Sequence, residues 1–304
     1  MRKTKQPVHK PSLEVLLQLL PELEANIKGQ PEVLQRLTAA VLRRELRAIP
    51  PRGCRAACLF AGPTGVGKTE TARMLCRALF GEDRLVRIDC SEFKTMESVM
   101  GLLGDRQGDR GRFGQAHARA AEGVWLFDEV EKAHPEFVHL FLQMTDAGCI
   151  TLANGETLDL GGLYLIVTSN LGSAEILNRQ HLPFTSLEKH VVRCIQRHLR
   201  PELLGRFGAP FVFRPLTRAV QAQITELHLG RLLEWQTTEH RRVTCDPAAL
   251  ELILQRGFSR KLGARPLLDT LDELVGNAMV EDLKNRGNGS GQLVVADNRL
   301  RLVR

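Results

Sequence analysis

At 304 residues the chain is longer than one ordinary domain and suits a large nucleotide-binding unit with a smaller domain attached. Hydrophobic residues make up 43% and charged residues 25%, the balance of a globular protein, and no apolar run approaches the roughly 20 residues needed to cross a bilayer. The net charge of +7 would favour an acidic partner, yet the basic residues are spread along the chain and aromatics are only 5%, so charge alone supports only weak non-specific nucleic-acid binding.

The start, "MRKTKQPVHK", is basic, and the following "PSLEVLLQLLPELEANI" is broken by Glu14, Gln18, Pro21 and Glu22. It reads as an amphipathic helix, not a signal sequence, and a cytoplasmic protein is expected. Four apolar runs follow, "AACLFAG" (56–62), "RLVRID" (84–89), "VWLFDE" (124–129) and "LYLIVTSN" (163–170), with longer periodic segments between them. Runs apolar on both faces predict a mainly parallel sheet covered by helices. After "FVFRPLT" (211–217) the pattern turns helical over 217–236, 246–256 and 264–284, and "QLVVADNRLRLV" predicts two short strands joined at Asp297-Asn298. "NRGNGSG" (285–291) reads as a flexible loop, and the domain boundary is expected near Pro215. The seven cysteines, at 54, 58, 76, 90, 149, 194 and 245, are scattered through mostly apolar contexts, and neither they nor the nine histidines show zinc-ligand spacing.

The strongest chemical signal is "GPTGVGKT", comprising Gly62, Pro63, Thr64, Gly65, Val66, Gly67, Lys68 and Thr69, between an apolar strand and a helical pattern. Glycines in that context let backbone N–H groups wrap phosphate at a helix N-terminus, the lysine reaches the β- and γ-phosphates, and the threonine hydroxyl binds Mg²⁺. About 60 residues on, "VWLFDE" delivers Asp128 and Glu129 to the end of a buried strand, the first to hold the Mg²⁺ shell and the second to polarise an attacking water. Asn170 ends the next apolar strand; it can orient that water without adding charge, or cap the following helix, and spacing alone does not separate these readings.

Together these residues resemble the AAA+ ATPases, and "GPTGVGKTE", "DEVEKAHPE", "TSNLGS", "RPELLGRF" and "GARPL" stand in the order found in the second ATPase module of Clp-type unfoldases of the ClpB class. The resemblance runs from about Ile27 to the C-terminus. It implies an α/β fold, an AAA+ αβα sandwich with a parallel sheet over 27–215, and a small α+β C-terminal domain over 216–304, preceded by a basic segment and helix over 1–26. It also implies a ring, usually of six subunits, with ATP and Mg²⁺ (on Thr69 and Asp128) bound between neighbours. "NIKGQPEVL" is similar to the segment that packs on adenine, making Ile27 and Gly29 candidates for the base pocket. Arg206 matches the arginine finger that stabilises charge in the adjacent subunit's site, and Arg265 matches the second sensor.

The chain also departs from that family. The pore-loop pattern G-[YF]-[VI]-G is replaced by "GLLGDRQGDRGRFG" (101–114), and the only tyrosine, Tyr164, lies on a strand. A shifted loop would have to grip polypeptide with Phe113, Leu102 or Leu103. Arg106, Arg110 and Arg112 raise the alternative of nucleic-acid contact, although Asp105 and Asp109 offset two of them. Gly208 stands where an aspartate commonly follows the finger, and no "IGF"-like tripeptide lies between Gly172 and Pro201, which argues against a proteolytic-barrel partner. No N-terminal substrate domain or first ATPase module is expected. The expected activity is ATP hydrolysis driving the remodelling of proteins or their assemblies without threading; a nucleic-acid-associated ATPase and a nucleotide-switched regulatory ring are the alternatives.

Overall fold

The structure, a computed structural model, describes residues 10–47, 53–179, 182–236, 242–284 and 290–304. The basic start (1–9) and most of the glycine-rich stretch 285–291 lie outside them. Two helices, α1 (Leu13–Asn26) and α2 (Pro31–Glu45), precede β1 (Ala56–Ala61) and α3 (Lys68–Phe80). Then come β2 (Leu85–Asp89), the short α4 (Met96–Met100), α5 (Gly111–Arg119), β3 (Gly123–Asp128) and α6 (Pro135–Asp146). A hairpin of β4 (Cys149–Thr151) and β5 (Thr157–Asp159) leads into β6 (Leu163–Ser169), α7 (Ser173–Asn178), α8 (Phe184–His198), α9 (Pro201–Phe207) and β7 (Phe211–Val212). The remainder is α10 (Arg218–Gln236), β8 (Val243–Cys245), α11 (Pro247–Gly257), α12 (Arg265–Lys284), β9 (Gly291–Ala296) and β10 (Arg299–Val303).

Contacts divide the chain into two compact units. Among the described residues the larger holds those within 10–25, 30–62 and 67–213, and the smaller those within 214–304 together with the short segments 26–29 and 63–66.

In the larger unit five parallel strands are ordered β2-β3-β6-β1-β7. Every residue of β3 and β6 is buried, as the apolar runs require when helices cover both sheet faces. Trp125, Phe127, Phe137 and Phe141 fill the core beneath them, with Phe127 and Phe141 edge-to-face at 5.1 Å. At the start of the central strands the guanidinium of Arg55 donates to Glu45 at 2.5 and 2.7 Å and lies over the rings of Phe80 and Tyr164, whose hydroxyl also donates to Glu45. Parallel order brings the C-terminal ends of β3, β6 and β1 side by side, the edge where open α/β sheets bind ligands.

The smaller unit packs α10, α11 and α12 against a sheet ordered β10-β9-β8. Asp246 caps α11 by accepting from Ala248 N at 2.7 Å, with Pro247 in the first turn. Asp297 and Asn298 take φ of +52° and +59°, the conformation a two-residue hairpin turn demands, and join β9 to β10 in antiparallel register. Among the described residues no helix is long and apolar enough to cross a membrane.

Candidate functional site

The site is built at the ends of three adjacent strands. Leaving β1, the chain turns at Gly62 (φ +149°) and enters α3 through Gly67 (φ +102°), backbone that a side chain would oppose. Lys68 opens the helix, is buried, and its Nζ donates to Gly62 O at 2.5 Å and to Asn170 Oδ1 at 2.9 Å. Thr69 Oγ1 lies 3.5 Å from Asp128 Oδ2. Asp128, ending β3, takes a hydrogen bond from the Thr168 hydroxyl and an ion pair from Arg87 of β2 at 2.6 Å.

Glu129 follows with φ +57°, a left-handed conformation that costs a non-glycine residue about 1 kcal/mol. The turn is held because Glu129 N donates to Thr168 Oγ1 at 3.1 Å and its carboxylate pairs with Lys132. That carboxylate, acting first as a hydrogen-bond acceptor and then as a charge, raises the pKa of the exposed Lys132. Asn170 Nδ2 donates to Glu129 Oε1 at 3.0 Å, and Asn170 N donates to Glu131 Oε1 at 3.0 Å. The side-chain amide of Asn170 therefore bridges the phosphate-loop lysine to Glu129, which spacing alone could not distinguish from capping.

Ile27, Gly29, Pro63, Thr64, Gly65, Val66 and Arg265 group with the smaller unit. Ile27 is buried, and a Cβ on Gly29 (φ +77°) would meet Val220 at 2.6 Å. Gly65 O accepts from Ala264 N at 3.0 Å, tying that part of the phosphate loop to the residue before the exposed Arg265. Arg206, on α9, pairs with Asp146 at 2.5 Å and lines a hollow with Ala57 and Cys58 near the start of β1. Because the phosphate loop follows the end of β1, the chain's own Lys68 and Glu129 are far from it.

Sequence reasoning missed Arg87, Thr168, Glu131 and Lys132. The signal was a charged or polar residue interrupting an apolar strand, as Arg87 does in "RLVRID" and Thr168 in "LYLIVTSN".

In loop 101–114 two of the three apolar candidates for a displaced grip lie in the core and the third, Leu103, is partly buried against it. Leu102 and Phe113 are fully buried, with the Phe113 ring stacked on Trp125 at 5.7 Å. Arg110 forms a two-pronged pair with Glu156 at 2.6 and 2.8 Å, and Arg112 pairs with Glu92 while lying over Phe93. Asp105 and Asp109 accept from backbone N–H groups within the loop at 2.8 to 3.0 Å.

Residues 55–209 match the family model described as the AAA domain of the Cdc48 subfamily, and 214–295 match that of the C-terminal D2-small domain of ClpB protein. The chain belongs to the AAA+ family and is of the ClpB type. ClpB 1 of a Nostoc species is 33% identical over 93% of this chain and 33% of its own length. ClpB 2 of Thermosynechococcus vestitus is 35% identical with the same coverage. Hsp104 of S. cerevisiae, solved in its extended complex with casein, superposes with a TM-score of 0.84 at 30% identity, over 96% of this chain and 53% of that one. The chain thus spans about a third of these ClpB relatives and about half of the Hsp104 chain.

The residues of the AAA+ core fit the group such a fold binds. Thr69 Oγ1 and the Asp128 carboxylate are hard oxygen donors facing one another, as a magnesium shell requires, and the glycines at 62 and 67 let the backbone turn around a buried lysine.

Proposed function

We propose that the chain is a ClpB-like ATPase module that hydrolyses ATP to ADP and phosphate and uses the cycle to remodel proteins or protein assemblies. The observation that carries this reading is the chain of hydrogen bonds from Lys68 through Asn170 to Glu129, alongside the Thr69 and Asp128 pair. Lys68 would neutralise the terminal phosphates, and Thr69 and Asp128 would hold a Mg²⁺ whose charge would offset that of the phosphate oxygens. Glu129 would take the proton of the attacking water as the water oxygen bonds to the γ-phosphorus and the bond from that phosphorus to the β,γ-bridging oxygen breaks, releasing ADP, and Asn170 would fix the direction of that carboxylate. Ile27 and Gly29 would border the adenine. Arg265 would follow the nucleotide state through Gly65.

Arg206 lies away from its own chain's site, which supports a ring, in ClpB manner of six subunits, where it serves a neighbouring copy. The remodelling is read as non-threading: the pore-loop aromatic is absent, and Leu102 and Phe113 belong to the core. Pairing of Arg110 and Arg112 with carboxylates weighs against the nucleic-acid alternative. The cytoplasm is the proposed location. Glu129→Gln tests the reading: it should hold ATP without hydrolysis and retain a protein partner in a pull-down. Recovery of nucleic acid alone would sink protein remodelling as the function.

A further inference from the structure

Glu131 sits two residues after Glu129 on the short turn Val130–Lys132, so one turn presents two carboxylates to the end of β6. Both reach Asn170: Glu129 Oε1 accepts from its side-chain Nδ2 at 3.0 Å, and Glu131 Oε1 accepts from its backbone N at 3.0 Å. The β3–β6 ladder has ended by this point, its last pair being Phe127 with Val167. Two side-chain bonds take over the alignment, from Glu129 N to Thr168 Oγ1 at 3.1 Å and from Asn170 N to Glu131. The other backbone group of Asn170, its carbonyl, accepts from Ser173 N at 3.2 Å within its own turn. Glu131 is therefore the contact that sets the Asn170 main chain against the turn carrying Glu129.

Stability does not account for a glutamate here. Its second oxygen, Oε2, is buried with no hydrogen-bond partner among the described residues, and an unmet buried acceptor is destabilising. Its surroundings are acidic: burial first, and then the charges of Asp128, Asp89, Glu131 and Glu129, push the Cys90 thiol up. The nearby cation, Lys132, is paired with Glu129. We propose that Glu131 is a positioning residue for ATP hydrolysis: a charged acceptor, which binds a backbone N–H more strongly than a neutral one, pins the Asn170 main chain so that its amide stays between Lys68 and Glu129. This role rests on the reading of Asn170 and Glu129 given above.

The test measures steady-state ATP turnover and the binding of a fluorescent ATP analogue in the full chain. Glu131→Ala should lower kcat about tenfold with nucleotide affinity within about threefold. Glu131→Gln keeps the acceptor oxygen and should hold kcat within about threefold, whereas Glu131→Asp, one methylene short, should fall with the alanine variant. A merely structural glutamate would not separate Gln from Asp in kcat while affinity and the circular-dichroism melt stay level. Because Glu131 acts through Asn170, Glu131→Ala placed in an Asn170→Ala chain should cost at most about twofold more. Losses that multiply overturn the role, as does an unaltered kcat in Glu131→Ala or a Glu131→Gln chain as slow as Glu131→Asp. If alanine prevents folding, the contrast between Gln and Asp decides by the same criterion. Undiminished turnover in both Glu129→Gln and Asn170→Ala overturns the ATPase reading and this role with it. Diminished turnover in both, with Glu131→Ala unaffected, overturns Glu131 alone.

Discussion

Lys68 Nζ donates to Asn170 Oδ1 at 2.9 Å, and the same amide donates through Nδ2 to Glu129 at 3.0 Å. A neutral bridge can bond a cation and an anion simultaneously because its two ends have opposite polarity. Asn170→Ala should therefore leave Glu129 present but unaimed. ATP turnover is expected to fall by about 10² while nucleotide affinity stays within a few-fold, since positioning acts mainly on the chemical step. Asn170→Asp should fare no better, because its charge repels Glu129. Steady-state turnover paired with fluorescent-nucleotide binding checks this, and a loss confined to affinity would contradict it.

The Glu45, Arg55 and Tyr164 cluster makes a stability prediction. Arg55 and Glu45 are both buried, with side-chain exposures of 6% and 4%. Glu45→Ala would strand a buried guanidinium and should cost about 3–5 kcal/mol. Tyr164→Phe removes one hydrogen bond while keeping the ring under Arg55, and should cost about 1 kcal/mol. Urea unfolding measures both, and equal losses would show that the ion pair is not the core of the cluster.

Phe113 separates a gripping loop from a structural one. Its ring is fully buried against Trp125, so Phe113→Ala should destabilise the chain by about 3–5 kcal/mol. Arg106→Ala, at the exposed tip, should leave the unfolding midpoint unchanged. A Phe113→Ala chain of unaltered stability that loses its response to protein substrates would point back to a grip.

Thiol reactivity follows from burial. The seven cysteines are free, and desolvation pushes the thiols of Cys54 and Cys58 up to about 12 and that of Cys76 to about 11. The thiolate is the reactive form, so these three should resist alkylation at pH 8 in the folded chain and react once it is unfolded. Cys149 and Cys194, partly exposed, should label first. Mass spectrometry after a short iodoacetamide pulse reads the order.

Much of this architecture was legible in the sequence because its signals are local. Runs apolar on both faces announced the parallel strands, "GPTGVGKT" announced a glycine turn into a helix, and Asp297-Asn298 announced a hairpin turn. What was illegible depends on which strands become neighbours. Arg87 reaches Asp128 only because β2 pairs with β3, and Thr168 does so only because β6 lies on the other side. Loop 101–114 misled for a similar reason. Its glycines and charges suggest an open loop, yet a Cβ on Gly104 would lie 2.0 Å from Asp109 O, so the glycines serve close backbone packing that folds Leu102 and Phe113 inward.

The central claim is that Glu129 activates water in a nucleotide site completed by Lys68, Thr69, Asp128 and Asn170. Phosphate release by the Glu129→Gln chain, measured with ATP and Mg²⁺ against the unaltered chain, tests it most directly. Release should fall by about 10² or more while ATP remains bound; release at the unaltered rate would contradict the assignment.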